Sequence, residues 1–213
     1  MINSNKDILR GVEKHYTENA NNIPECDSRS VGWSSVESQY LRFTKLNSVI
    51  LESDTNISIN DYGCGYAEHL TSLIKIKQLD VSLYNGYDIS KEMLKNAKTN
   101  LDNLGFSKYK LFKSSSIETK SDYTFVSGTF NNKFDVNDQN WLTYIVEKLE
   151  NINSNSVKGF SFNMLSTWVD WREPQLYYGD PLFFFKLCKE KFSKKVNLLH
   201  DYDLFEWTIS VTK

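Results

Sequence analysis

The chain has 213 residues, with 25 lysines and arginines against 27 aspartates and glutamates and a formal net charge of −2 at pH 7, which fits one α/β domain with a sizeable core and is short for two domains plus a linker. Binding that relies on neutralising many phosphates needs a basic surface, so nucleic acid is disfavoured as the main partner. No apolar run approaches the roughly 20 residues that span a bilayer and Met1-Ile2-Asn3-Ser4-Asn5-Lys6 lacks a signal-peptide pattern, so a cytoplasmic location with no membrane partner is expected. Cys26, Cys64 and Cys188 are odd in number, widely spaced and without a CxxC pair, which predicts free structural thiols and no metal site.

Helical alternation runs to about Tyr16 and gives way at Asn19-Ala20-Asn21-Asn22-Ile23-Pro24, where helix breakers accumulate. From Ser34 to about Leu51, apolar Val36, Tyr40, Leu41, Phe43, Leu46, Val49 and Ile50 recur at three- and four-residue steps, predicting an amphipathic helix capped by Ser34 or Ser35. Residues 1–50 thus form a helical cap ahead of an α/β core at 51–213, within a single domain. Ile57 to Tyr62 predicts a strand, Gly63 and Gly65 a tight turn, and Glu68 to Lys77 a helix. A second unit follows, with a strand from Val81 to Tyr87 and a helix opening at Ser90. Tyr109 to Lys113 and Tyr123 to Val126 are short strands, Trp141 to Leu149 a helix, and Val157 to Leu165 a buried strand. After a helix from Leu182 to Phe192, strands at Val196 to Leu199 and Phe205 to Val211 are separated only by His200-Asp201-Tyr202-Asp203-Leu204, a connection suited to a hairpin. The order predicts a doubly wound α/β fold: a mostly parallel seven-stranded sheet with a C-terminal antiparallel hairpin.

In open parallel sheets, ligands bind beyond the carboxyl ends of the strands where strand order reverses. Asp61-Tyr62-Gly63-Cys64-Gly65-Tyr66-Ala67 falls there. Without a Cβ, Gly63 and Gly65 let the backbone turn tightly and approach a ligand, although such a turn can also be only a tight loop. A dinucleotide fingerprint wants a third glycine or alanine where this chain has Glu68, and a carboxylate there repels a pyrophosphate. Asp61 can organise the turn or help receive a cationic amine. Asp88, at the end of the second strand, can accept two hydrogen bonds from a ribose diol; its plainer alternative is a helix cap or a surface aspartate.

These two turns resemble the first and second motifs of the class I S-adenosylmethionine-dependent methyltransferases, carried by Asp61-Tyr62-Gly63-Cys64-Gly65 and by Gly86-Tyr87-Asp88-Ile89-Ser90 with Met93, Leu94 and Ala97. The terminal hairpin is also shared with that fold. Ala67 stands where many members have a third glycine. The resemblance implies S-adenosyl-L-methionine as cofactor, with Gly63 and Gly65 against its methionyl part, Asp88 on the ribose, and Ile89 and Met93 around the adenine. Ser116 and Ile117 would lie beside the adenine, where the family often has Asp or Asn, and Ser127 and Thr129 beside the transferable methyl. The segment Asp27 to Trp33 with Gln39, Arg42 and Phe43 is similar to one in small bacterial members without an assigned acceptor. It implies cofactor contacts from Trp33 and Arg42, the latter pairing with the cofactor carboxylate unless it is a solvated helix residue.

Methyl transfer needs orientation and desolvation more than a nucleophilic residue, while a hydroxyl acceptor also needs a base. His200 is the candidate base and Tyr178 its companion, on the expectation that the loop from Trp168 to Pro181 and the hairpin form the acceptor pocket; the plainer alternative is that these aromatics cover a sheet edge. The expected activity is methyl transfer to an oxygen or nitrogen of a small metabolite or saccharide-like acceptor, the alternative being a catalytically silent cofactor-binding protein. No sequence signal sets an oligomeric state.

Overall fold

A computed structural model describes residues 5–213. Helix α1 (Asn5–Asn22) outlasts its expected end at Tyr16, because Asn19 to Asn22 complete its last turn and the chain turns away only where Pro24 disfavours a helical residue before it. A short 3-10 turn at Ser28–Val31, capped by Asp27, leads to α2 (Val36–Leu46). The Ser35 hydroxyl accepts the Ser38 N–H at 3.1 Å and so fixes where α2 begins. The apolar spacing expected as helix up to Leu51 continues only as a 3-10 turn, Asn47–Val49.

Strands β1 (Ile57–Tyr62), β2 (Val81–Asp88), β3 (Tyr109–Lys113), β4 (Ser121–Val126), β5 (Ser156–Leu165), β6 (Lys195–Leu199) and β7 (Glu206–Thr212) alternate with α3 (Glu68–Lys75), α4 (Lys91–Asn103), α5 (Asp138–Asn155) and α6 (Pro181–Lys191). They form one seven-stranded sheet in the order β3-β2-β1-β4-β5-β7-β6. The first five are parallel, and β7 runs antiparallel between β5 and β6. The order reverses between β1 and β4, which places the turns after these two strands side by side. Pairing of Tyr62 with Tyr87, Asp88 with Lys113 and Val126 with Phe162 keeps the carboxyl ends of the strands level.

Both faces of the sheet are covered. Trp141 of α5, Phe184 of α6 and Leu9 and Val12 of α1 pack with Phe160, Phe162 and Trp207 on one face, and Phe43, Leu46, Leu70 and Ala97 pack with Ile57, Ile59 and Phe125 on the other. Burying each large apolar side chain contributes roughly 1.5–3 kcal/mol. Among the described residues, no helix is long and apolar enough to cross a membrane, and the three cysteines are unpaired.

Candidate active site

The turn after β1 uses glycine twice in the left-handed region, at Gly63 (φ +76°) and Gly65 (φ +52°). Gly63 and Cys64 both donate their N–H to the Tyr87 carbonyl, at 2.8 and 3.0 Å, which folds the turn against β2. A Cβ on Gly63 would stand 2.3 Å from Thr129 Oγ1, and one on Gly65 would stand 2.7 Å from Val31 Cγ1. The turn after β1, the turn after β4 and the segment before α2 therefore close on one space. Ala67, the N-cap of α3, also has a positive φ, +63°, so it occupies a conformation that glycine adopts without strain and alanine at a cost of about 1–2 kcal/mol.

Asp88 ties the two motifs together. Its Oδ2 accepts the Gly65 N–H at 3.0 Å and its Oδ1 the Ser90 N–H at 2.8 Å. The cap of α4 is Ser90, whose hydroxyl accepts the Met93 N–H, so Asp88 is not the N-cap. Burial pushes its carboxyl up to about 6 against the pull of the backbone donors. Each oxygen keeps a lone-pair direction for a further donor. Asp61 is buried in β1 and accepts the Tyr84 hydroxyl at 2.8 Å; burial holds it up to about 7.

Trp33, Asp61, Gly63, Gly65, Asp88, Ile89, Met93, Ser127 and Thr129 line a single cavity of about 890 Å³, counting its open mouth. Leu9, Val12 and Tyr16 of α1, with Val31 and Trp33, line it from the helical cap. The Tyr16 hydroxyl accepts from Asn132 Nδ2 at 2.8 Å, and burial raises its phenol to about 12. Thr129 Oγ1 donates to the Tyr62 carbonyl at 2.9 Å. Ser127 Oγ is buried without a hydrogen-bond partner. Among the described lining residues none is Lys or Arg, while Asp61, Glu68 and Asp88 are carboxylates.

Five expected site residues lie elsewhere. Arg42 is buried, but its Nε and Nη2 donate to both oxygens of Glu206 at 2.7 to 3.0 Å; its charge is already paired, and it does not line the cavity. Ser116 and Ile117 give way to Ser114 and Ser115 at the wall. The cause is α5, whose Asn151 side chain accepts the Ile117 N–H at 2.8 Å while Asn151 and Asn155 both donate to its carbonyl; Ser116 Oγ accepts from the buried Lys148. His200 stacks on Trp168 with ring centroids 5.4 Å apart, and the Tyr178 hydroxyl accepts the Glu173 N–H at 2.9 Å. Neither lines the cavity.

Sequence reasoning missed Tyr16 and His69 at the wall and gave Gln39 no contact of its own there. Gln39 Oε1 accepts the Tyr66 hydroxyl at 3.0 Å. His69 pairs Nε2 with Asn47 Oδ1 at 2.8 Å, and burial lowers it to about 3, so it is neutral. The spacing of Leu9, Val12 and Tyr16 marks an apolar face on α1, but not the surface that it covers.

The comparisons with known proteins agree with this geometry. Residues 53–169 match the family model described as a methyltransferase domain. A curated relative from Mycobacterium tuberculosis, named "Putative methyltransferase Rv1506c", is 37% identical over 166 residues, covering 77% of this chain and 98% of the relative. Magnesium protoporphyrin IX methyltransferase (ChlM) from Synechocystis PCC 6803, solved with bound SAH, superposes with a TM-score of 0.66 at 11% identity over 98% of this chain and 97% of its own. The DhpI–SAH complex does so with a TM-score of 0.67 at 11% identity over 98% of each chain. The chain belongs to the methyltransferase-domain family and has the Rossmann-like fold of its class I members.

Proposed function

We propose that the protein binds S-adenosylmethionine between the turns after β1, β2 and β4 and transfers its methyl group to an oxygen or nitrogen of a small metabolite or saccharide-like acceptor that enters beneath α1 and Trp33. The observation that carries this is the union in one cavity of the glycine turn, Asp88 and the unpartnered Ser127 hydroxyl. The residues present fit the cofactor. Gly63 and Gly65 bring the bare backbone of the turn to the cavity wall, Asp88 has acceptor capacity for a ribose diol, and the wall carries carboxylates without Lys or Arg. That charge suits a sulfonium and an ammonium and disfavours a pyrophosphate.

When bound, the sulfonium supplies an electrophilic methyl group. Asp88 holds the ribose, Ile89 and Met93 flank the adenine, Asp61 sits toward the amine, and Ser127 and Thr129 wall the side facing the acceptor. α1 and Trp33 exclude water, and holding two reactants together accounts for about 7–11 kcal/mol of such a barrier. The phenols of Tyr16, Tyr62, Tyr66 and Tyr144 are all pushed up by burial, so none serves as a base. Tyr66 and Tyr62 donate to Gln39 and to the Ser115 carbonyl, whereas Tyr16, whose oxygen accepts from Asn132, keeps its proton to orient an acceptor, and a proton leaving a hydroxyl has to go to a carboxylate or to water. Calorimetry with S-adenosylmethionine, S-adenosylhomocysteine and NAD tests the cofactor, with saturable binding expected for the first two only. Incubating metabolite extracts with methyl-labelled cofactor and identifying the labelled product tests the acceptor; label found only in protein or nucleic acid would overturn it.

A further inference from the structure

A buried ion pair joins α2 to the last strand of the sheet. Arg42 and Glu206 are 8% and 1% exposed, and no water is needed to close their bonds, which run at 2.7 to 3.0 Å. Asn163 of β5, fully buried, connects this pair to a backbone amide. Its Nδ2 donates to Glu206 Oε2 at 2.5 Å, and its Oδ1 accepts the Gly128 N–H at 2.8 Å. At the other end of the network, Arg42 Cζ lies 3.9 Å from the Trp33 ring centroid. Gly128 meets the same indole so closely that a Cβ there would fall 2.2 Å from Trp33 Cη2. The network is a closed loop: Glu206 holds Arg42 and Asn163, these hold Trp33 and Gly128, and the last two touch.

Only two members of the loop, Trp33 and Gly128, line the cavity. Desolvating a guanidinium and a carboxylate costs several kcal/mol per ion, and apolar residues of similar volume are often at least as stabilising in such a place. Stability is therefore a weak account of this pair. A fixed bond direction at each end is what an apolar cluster does not supply. We propose that Glu206 and Asn163 are positioning residues for the methyl-transfer site, which hold the Gly128 amide and the Trp33 indole so that the wall from Ser127 to Thr129 is in its binding geometry before the cofactor arrives. The proposal rests on the reading of the cavity as the cofactor site.

Two readouts test it without an identified acceptor: hydrogen exchange at the Gly128 amide in the cofactor-free protein, and affinity for S-adenosylhomocysteine. Asn163→Ala leaves the ion pair in place and cuts its link to the turn, so the test survives even where Glu206→Gln fails to fold. A control is Ser161→Ala, which removes a buried hydrogen bond from the same strand to the Leu46 carbonyl at 2.8 Å, away from the cavity. Asn163→Ala is expected to speed Gly128 exchange at least tenfold and weaken binding by about the same factor, and Glu206→Gln to move both in the same direction. Ser161→Ala should lower the melting temperature and leave both unmoved. Melting temperatures lowered in the Asn163 and Glu206 variants with exchange and affinity within twofold of wild type would overturn the proposal. Failure of the wild type to bind S-adenosylhomocysteine would instead overturn the cofactor reading, and Gly128 exchange would still report whether the network holds the turn.

Discussion

The loop after β5 and the turn after β1 both leave the carboxyl end of a parallel strand, and of the two the loop is richer in aromatic residues, with Trp168, Trp171, Tyr177 and Tyr178. Its hydrogen-bonding capacity is largely used within the fold. Tyr178 takes the Glu173 N–H, the Tyr177 N–H goes to the Asn131 carbonyl and that of Gly179 to the Leu165 carbonyl, both at 2.8 Å, and the Trp207 indole N–H closes on the Gly179 carbonyl. Trp168, 63% exposed, stacks on His200 at the surface. The turn after β1 is the opposite case: its bare glycine backbone borders the cavity, beside a carboxylate with lone pairs to spare and the buried hydroxyl of Ser127 with no partner. Aromatic rings cover apolar surface of any kind, whereas buried polar groups without partners are rare in a finished fold. The second signal therefore separates a binding site from a packed edge.

The largest expected effect is at Asp88. Asp88→Ala removes hydrogen bonds to a charged group, each worth about 1.5–3 kcal/mol, and should weaken S-adenosylhomocysteine binding by one to two orders of magnitude while the chain stays folded. An unchanged dissociation constant in calorimetry would reduce Asp88 to a tie between Gly65 and Ser90. Gly63→Ala comes next: a left-handed alanine costs about 1–2 kcal/mol and displaces Thr129, so about tenfold weaker binding and a lower melting temperature are expected, and neither change would mean that the turn is free to adapt.

Protonation sharpens the same contrast. Asp61 and Asp88 are held up to about 7 and about 6, above the ordinary 3.8. Between about pH 4 and 7 the folded chain thus keeps protons that the unfolded chain has released, and the stability contributed by these groups is lost as pH rises through that window. A ribose diol donates to the carboxylate form, so affinity for S-adenosylhomocysteine should fall as pH drops below about 6, with protons released on binding. Calorimetry in buffers of different ionisation enthalpy measures this; proton uptake would contradict it. The smallest effects are expected in the aromatic loop. Tyr178→Phe and His200→Ala should leave cofactor affinity within twofold, and a specific loss of methyl transfer at unchanged affinity would return the acceptor to that loop.

The strands and the glycine turn were legible because their signals are local: apolar runs of five or six residues, breakers between them, and glycine where φ is positive. Asp88 was legible for the same reason, as the last residue of its strand. The pairing of Arg42 was not legible because its partner lies 164 residues away and no local pattern announces Glu206 as anything but a strand residue. Ser116 and Ile117 were displaced by two positions because Asn151 and Asn155, on a helix that begins after the following strand, grip the backbone there. The boundaries of α1 and α2 shifted where capping and proline outweighed apolar periodicity.

Synthesis proceeds from the amino end, and this gives the position of Glu206 a consequence for the order of assembly. The guanidinium of Arg42 leaves the ribosome 164 residues ahead of its counter-charge, which comes on the first residue of β7, a strand that must slot between β5 and the previously made β6. Only with that insertion does the Arg42 cation gain its counter-charge, so the burial of α2 against the sheet and the placing of β7 are linked through one ion pair.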